Sequence, residues 1–277
     1  MEYKIQERFQ VKSMHLLSFD SSSTFKNQMY VEATSANANN QYVYTAFTAK
    51  PNGYVFAGCL WVRFTAAPSA VTPAILASVG EGIGATTKHQ YLGVITSSAG
   101  KVKIILGTGT INADGTATGQ HEIETEELTA ALNQWHKIQF FYSSDFAVPT
   151  DNSIKFNNVA TTPVLRTGAP VATSYAFTLC RLFQHSIPIN TRIANVWLHV
   201  GALTKVEVDS WNFGLKAPVW LGDAGARNNA LYPATVYMHG AKKIFENSVN
   251  DAVFSANGGA FASLIQATNR TDFVRIP

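Results

Sequence analysis

One stretch of the chain, Leu132–Tyr142, carries the clearest signal for the fold, and it reads LNQWHKIQFFY. It begins with polar residues typical of a loop and continues into aromatic and aliphatic residues that favour a β-strand. Alternate side chains of a strand point to opposite faces, which here separates Ile138, Phe140 and Tyr142 from Lys137, Gln139 and Phe141. The pattern predicts a strand with one face in an apolar core.

Short runs of the same β type recur along the chain, with turn-forming segments such as Pro51-Asn52-Gly53 and Asn157-Asn158 between them. We predict strands at Gln41–Thr48, Tyr54–Phe64, Ala74–Val79, Gln90–Thr96, Val102–Gly107, His136–Tyr142, Ser153–Phe156, Tyr175–Leu182 and Arg192–Val200. Without helical runs between them, such strands indicate an antiparallel sandwich or barrel. Two short helices are predicted, at Glu126–Leu132 and at Thr204–Phe213, and the second begins with a capping box of Thr204 and Glu207.

The composition agrees with an all-β protein. Of 277 residues, 46% are hydrophobic and only 14% are charged, against a usual share of about a quarter. The net charge of +3 is spread along the chain, which argues against nucleic-acid binding. Residues 1–13 do not resemble a secretory signal, and no uncharged stretch is long enough to span a bilayer, so we expect no membrane partner.

The two cysteines, Cys59 and Cys180, lie in separate strand-like runs. Two buried free thiols in a protein made in a reducing compartment are the first interpretation. A disulfide between paired strands is the alternative.

Several segments, taken in order, resemble laminin-G-like domains of the concanavalin A-like jelly-roll superfamily. Besides Leu132–Ile138, they are Met14–Asp20, Cys59–Phe64, Tyr91–Val94 with Lys101–Ile104, and Ile193–Leu198 with the helix that follows. The resemblance implies an antiparallel jelly-roll β-sandwich over residues 14–213. Residues 1–13 would then form an N-terminal arm, and residues 214–277 an irregular extension packed on the sandwich.

The Gly-rich and Asn-rich residues 214–277 are similar to tails of laminin-G-like virion proteins of bacteriophages. This resemblance implies a non-enzymatic structural protein of a virion, as a capsid decoration or tail component, assembled in the host cytoplasm. Its partners would be other virion proteins and copies of itself. A glycan-binding lectin or adhesin module is the alternative, and a glycoside hydrolase the third possibility.

Strand alternation also predicts a binding face. Three strands each have a second, non-core set of side chains; together these include Trp61, Arg63, Lys137, Gln139, Trp197 and His199. If these sets share one sheet face, they form an aromatic and polar surface suited to stacking a sugar or docking a protein. An ordinary sandwich exterior, or a face covered by the C-terminal extension, is the alternative.

The acidic run Glu122-Ile123-Glu124-Thr125-Glu126 could place three carboxylates on one face of a strand. Laminarinase-type glucanases of the same superfamily use a Glu-x-Asp-x-Glu strand for catalysis, but the central residue here is Glu124. We therefore expect a solvated acidic strand rather than a catalytic one.

Other chemical motifs are weak. Val79–Ala85 fits a loose dinucleotide-binding pattern, but no helix follows it. The seven histidines show neither i+2 nor i+4 pairing, and no cysteine lies near them. We expect no metal, no cofactor and no catalytic residue.

Overall fold

The computed structural model describes residues 31–33, 41–50, 55–70, 72–81, 88–111, 117–170, 177–185, 191–201, 203–210, 235–238, 246–247, 252–253 and 255–257. Within these residues the chain forms two antiparallel sheets, a separate two-stranded pair and one short α-helix. None of the helices in these ranges has the length and apolarity needed to cross a membrane.

The first sheet, sheet A, comprises β1 (Val31–Ala33), β3 (Val55–Phe64), β9 (Trp135–Ser143), β10 (Ser153–Phe156), β11 (Val159–Ala160), β14 (Thr191–Val200) and β15 (Val236–Met238). Its strand order is β1-β14-β3-β9-β10-β11, and β15 also pairs with β14.

The second sheet, sheet B, comprises β2 (Gln41–Lys50), β4 (Ala74–Gly80), β5 (Lys88–Ser98), β6 (Lys101–Ile111), β7 (Ala117–Glu124), β8 (Leu128–Thr129), β12 (Val164–Gly168), β13 (Phe177–His185) and β18 (Ser255–Asn257). Its order is β12-β7-β6-β5-β4-β13-β2-β18, and β8 pairs with β6. The remaining elements are the pair β16 (Glu246–Asn247) and β17 (Ala252–Val253), a 3₁₀ turn at Pro149–Asp151, and helix α1 (Lys205–Ser210).

One apolar core lies between the two sheets. Sheet A contributes Phe56, Leu60 and Phe140 to it, and sheet B contributes Leu92 and Leu106; all are fully buried. The rings of Phe56 and Phe140 meet edge to face with centroids 4.8 Å apart. Because the chain crosses between the two sheets several times around this core, at β1–β2, β2–β3, β3–β4, β8–β9, β11–β12 and β13–β14, the molecule is a jelly-roll β-sandwich, and the predicted fold class is confirmed.

Turn chemistry follows the sequence closely. Asn157 and Asn158 have φ values of 50° and 69° and form the tight turn between β10 and β11. Asparagine tolerates this left-handed region better than most residues, so the predicted hairpin turn is confirmed.

The capping box of α1 is also confirmed. The backbone N–H of Glu207 donates to Thr204 Oγ1 at 3.3 Å, and the N–H of Thr204 donates to Glu207 Oε2 at 2.7 Å. The helix is described as far as Ser210, so the predicted end at Phe213 lies outside the described residues.

The predicted helix at Glu126–Leu132 is wrong. Leu128 and Thr129 instead form β8, which pairs with Val102 and Lys101 of β6. The Leu128 side chain packs against the core, and the N–H of Ala130 donates to the carbonyl of Gly100 at 3.1 Å. These contacts with a distant hairpin prevail over the helical propensity of a segment too short to form a stable helix alone.

Among the described strands of five or more residues, β12 was not predicted, and β7 was expected as a strand only in its acidic residues Glu122–Glu124. Both lie at one edge of sheet B, and all five residues of β12 are exposed. Edge strands carry polar and small residues, which weakens the pattern from which strands are predicted.

Parts of the predicted C-terminal extension contribute strands to both sheets. Leu198 of β14 pairs with Val236 of β15, and Val43 of β2 pairs with Ala256 of β18. The predicted arm, residues 1–13, lies outside the described residues.

Candidate functional site

The six residues predicted to bind a ligand lie on one face of sheet A, the face turned away from the core. In the strand register, Trp61 lies opposite Lys137, while Gln139 and Trp197 flank Cys59 on either side. Arg63 and His199 follow the same alternation at the two ends of this outer face of sheet A. The arrangement follows from β3 pairing with both β9 and β14.

Most of this face is not open to solvent. Trp61 and Lys137 are each 1% exposed, Gln139 is 3% exposed and Trp197 is 0% exposed, whereas Arg63 and His199 are half-buried. Trp197 belongs to a second apolar cluster, in which Leu203 and Val208 pack over the sheet. The sequence predicts that this surface is exposed and available for stacking, but in the structure most of it is packed against other residues. Ligand binding by these six residues stays a prediction.

Burial also determines the chemistry of this face. It raises the pKa of Cys59 to about 12, against the smaller opposing effect of the Lys137 charge, so the thiol is protonated at neutral pH. Burial lowers the pKa of Lys137. Cys59 and Cys180 are both buried and free, as the first interpretation expected, while the reducing compartment stays a prediction.

At the β10–β11 edge the same face ends in an accessible cleft of about 130 Å³. Lys155 of β10 pairs with Gln139 of β9 and so continues the outer face of sheet A into the cleft. The cleft lies between the 3₁₀ turn, the β10–β11 hairpin and helix α1. Its lining comprises Thr150, Asn152–Lys155, Ala160–Pro163, Lys205 and Asp209.

A lysine–aspartate–lysine cluster forms the polar wall of the cleft. Lys205 Nζ donates to Asp209 Oδ2 at 3.0 Å, and Lys155 Nζ donates to the backbone carbonyl of Asp209 at 2.5 Å. The second carboxylate oxygen, Asp209 Oδ1, lies 3.7 Å from Lys155 Nζ; it is buried and accepts no hydrogen bond. The cluster therefore retains an acceptor atom next to an ammonium group.

Apolar and hydroxyl-bearing residues form the opposite wall. Ala160 is exposed and supplies apolar surface beside Thr161 and Thr162, whereas Ile154 and Pro163, which also line the cleft, are buried. The backbone carbonyl of Ile154 accepts two hydrogen bonds from Thr161, from its N–H at 2.9 Å and its Oγ1 at 2.8 Å. The cleft thus has one charged wall and one mixed wall.

Sequence reasoning missed Lys155, Lys205 and Asp209 as a group. Signals for each were visible, because Lys155 alternates with Ile154 and Phe156, and Lys205 and Asp209 are spaced i,i+4 on a capped helix. Their juxtaposition depends on the docking of α1 beside β10, and no local sequence pattern indicates that contact.

The acidic run Glu122–Glu126 was predicted to be a solvated strand, but in the structure the carboxylates of Glu122 and Glu124 are paired with other side chains. Glu122 is only 6% exposed and accepts hydrogen bonds from the Tyr91 hydroxyl and from Arg166 Nε. Glu124 accepts from Arg166 Nη1 at 2.7 Å and from Lys103 Nζ at 2.5 Å. Arg166, an edge-strand residue outside every predicted strand, thus joins the two carboxylates.

These contacts keep the Glu124 carboxylate ionised. Burial alone would raise its pKa, but the hydrogen bonds and charges of Lys103 and Arg166 lower it below the ordinary value of 4.5. Retaining glycosidases need one protonated carboxyl group as the general acid. The cation-paired state of Glu124 does not suit that role.

The remaining motifs show no ligand chemistry in the described chain. Burial, followed by the charge of Arg181, lowers the pKa of His89 to about 3, so this histidine is neutral. No group of three His, Cys, Asp or Glu side chains suited to a metal occurs within the described residues. Val79 and Gly80 of the glycine motif lie in β4, and residues 82–85 are outside the described ranges.

Neither a protein-family model nor a curated protein matches the sequence. Among solved structures, the native heptameric SAP-like pentraxin from Limulus polyphemus is 12% identical, with a TM-score of 0.47 over 86% of this chain and 95% of that chain. Mouse laminin alpha1 domains LG4-5 are 12% identical, with a TM-score of 0.38 over 60% of this chain and 41% of that chain. Alginate lyase Aly36B is 9% identical, with a TM-score of 0.33 over 61% of this chain and 83% of that chain. The match spans less than half of the laminin structure, and these similarities assign no ligand or activity to the chain.

Proposed function

We propose that the chain is a carbohydrate-binding module without a catalytic step, and that a single sugar unit binds in the cleft between the β10–β11 hairpin and α1. The observation that carries the proposal is the Asp209 carboxylate. Its Oδ1 is buried without a hydrogen bond, 3.7 Å from Lys155 Nζ, in the wall of an accessible cleft. A buried acceptor without a hydrogen bond costs free energy. The Asp209 side chain is 27% exposed, so a small rotation of the carboxylate lets a ligand donor in the cleft reach this oxygen and recover that cost.

The chemistry of the cleft suits a sugar. A hydroxyl group both donates and accepts, so one hydroxyl can donate to Asp209 Oδ1 while it accepts from the neighbouring ammonium. Each lysine ammonium carries three N–H donors, and the hydrogen bonds of Lys155 and Lys205 to Asp209 use one each. The exposed Ala160 offers apolar surface to the C–H groups of the ring.

The absence of a catalytic step is part of the proposal. Its support is the pairing of the Glu124 carboxylate with Lys103 and Arg166, which lowers the pKa of this group and favours its ionised form. An assay of reducing ends released from the bound glycan would detect hydrolysis and overturn this part.

A glycan array probed with wild-type protein and with Asp209→Asn tests the proposal. The substitution conserves size and removes the charge, so we expect the affinity to fall by about tenfold or more. Asp151→Asn is the matched control, because Asp151 is an exposed carboxylate of the adjacent 3₁₀ turn that does not line the cleft. It should bind like wild type.

Two results would contradict the proposal. If the wild-type protein retains no glycan, the function is wrong. If Asp209→Asn binds with unchanged affinity and an unchanged circular dichroism spectrum, the sugar binds elsewhere.

The predicted role in a bacteriophage virion, with copies of the chain or virion proteins as partners, stays a prediction. The tail that carries that resemblance, residues 214–277, lies mostly outside the described residues. Mass spectrometry of purified particles tests it directly.

A further inference from the structure

The size of the cleft bears on how a glycan would enter it. Its volume of about 130 Å³ is well below the ~300–1,000 Å³ of pockets that enclose drug-sized ligands. A disaccharide is comparable in size to a small drug molecule, whereas one sugar ring is about half of that. We therefore expect the enclosed space of the cleft to hold one ring.

The helical wall is held against the sheet by side chains from two strands. Gln139 Nε2 of β9 donates to the carbonyl of Val208 at 2.7 Å, and Lys155 of β10 donates to the carbonyl of Asp209. Val208 is itself fully buried in the second apolar cluster. Moving α1 outward to lengthen the cleft would break both hydrogen bonds and expose this residue.

The wall formed by the 3₁₀ turn is held in the same way. Asn152 is buried, and its Oδ1 accepts a hydrogen bond from the N–H of Ser143 at 2.7 Å. Its own N–H donates to the carbonyl of Pro149 at 3.1 Å, which closes the turn. On the third side, the two hydrogen bonds from Thr161 fix the hairpin. Three sides of the cleft are therefore held in place by hydrogen bonds.

From this geometry we infer that the cleft recognises the terminal sugar of a glycan, end-on, and not an internal segment of the chain. The inference rests on the proposed function and specifies its ligand class: a glycan with a free terminal unit whose hydroxyls reach Asp209 and the two lysines. Units beyond the first leave the cleft into solvent and add little binding free energy.

The test compares ligands of increasing length with the same terminal unit. Isothermal titration of the full chain uses methyl glycosides and linear oligosaccharides of up to six units from the series that the glycan array identifies, drawn from cellulose, chitin and mannan oligosaccharides. We expect the Kd to change by less than about threefold from one unit to six. A larger fall in Kd with length means that a groove binds several units, and it overturns the inference.

A second comparison addresses the terminal unit itself. O-methylation of the terminal ring of a tetrasaccharide should abolish binding, and O-methylation of an internal ring should leave it unchanged. The reverse result overturns end-on recognition while the proposed function stands. If no oligosaccharide of any length binds, the proposed function itself has failed, so the two failures are distinguishable.

Asp209→Asn should weaken binding of one unit and of six units by the same factor, which assigns both to the cleft.

Discussion

Lys155 and Asp209 lie 54 positions apart in the chain, and a 2.5 Å hydrogen bond joins the Nζ of the first to the backbone carbonyl of the second. The contact attaches the last turn of α1 to the outer face of sheet A, beside the cleft. The same lysine therefore has two roles, since it holds the helix in place and contributes donors to the proposed sugar site.

Lys155→Met should weaken the attachment of α1. The side chain is 22% exposed, so we expect the free energy of unfolding to fall by only about 1 kcal/mol. Urea denaturation followed by circular dichroism measures the change. Lys101→Met is the control, because Lys101 Nζ donates to Thr129 Oγ1 between exposed residues and should matter less. If the two variants lose the same free energy of unfolding, the contact with Asp209 contributes no more to stability than the contact of Lys101.

Thr204→Ala should destabilise α1 through its capping box. Loss of such a cap costs about 1 kcal/mol, and the amides of Lys205–Ser210 should then exchange with deuterium faster than in wild type. Val206→Ala is the matched control on the same helix, because Val206 is 78% exposed. Unchanged exchange in Thr204→Ala would contradict the assigned role of the cap.

Stability should depend on pH through Glu124. Its folded-state pKa is lowered, so its ion pairs stabilise the fold fully above the ordinary pKa of 4.5. That contribution is lost as the pH falls through the lower folded-state pKa, where the carboxylate becomes protonated.

The measurement is urea unfolding of wild type and Glu124→Gln at a series of pH values from 7 to 3. The stability difference between them should be constant above pH 4.5 and shrink on further acidification. A difference that stays constant down to pH 3 would mean that Lys103 and Arg166 do not stabilise the ionised form.

The two thiols should be unreactive in the folded protein. Cys59 is 1% exposed and Cys180 is 0% exposed, and burial raises the pKa of both. Titration with a disulfide reagent at pH 8 should modify neither thiol in buffer and both in concentrated urea. Rapid modification in buffer would contradict the packing of β3 or β13.

The fold was predictable where a residue's role depends on its immediate neighbours. Alternation in Lys137–Tyr142 and Cys59–Phe64 placed both strands correctly, and Asn157-Asn158 identified a turn. The capping box at Thr204 was equally local. Each of these signals spans fewer than ten residues, the range over which propensity and periodicity act.

Predictions failed where contacts between distant segments determine the outcome. Leu128 would suit a helix by local propensity, but pairing with Val102 makes it part of a strand. The charge partner of Glu122 is Arg166, 44 residues away, so the acidic strand could not be recognised as paired. The six residues of the predicted face do share one side of sheet A, but helix α1, which covers Trp197, could not be positioned from the sequence.

The bulge in β12 between Leu165 and Thr167 bears on the behaviour of the protein at high concentration. Within the described chain, β12 is an outer strand of sheet B, and an exposed strand of this kind can recruit strands from other molecules. The bulge interrupts the regular row of backbone donors and acceptors, and Arg166, which lies within it, turns its charge inward onto Glu122 and Glu124. An incoming strand would meet an irregular backbone beside a network of paired charges. We therefore expect this edge to be a poor template for the growth of fibres.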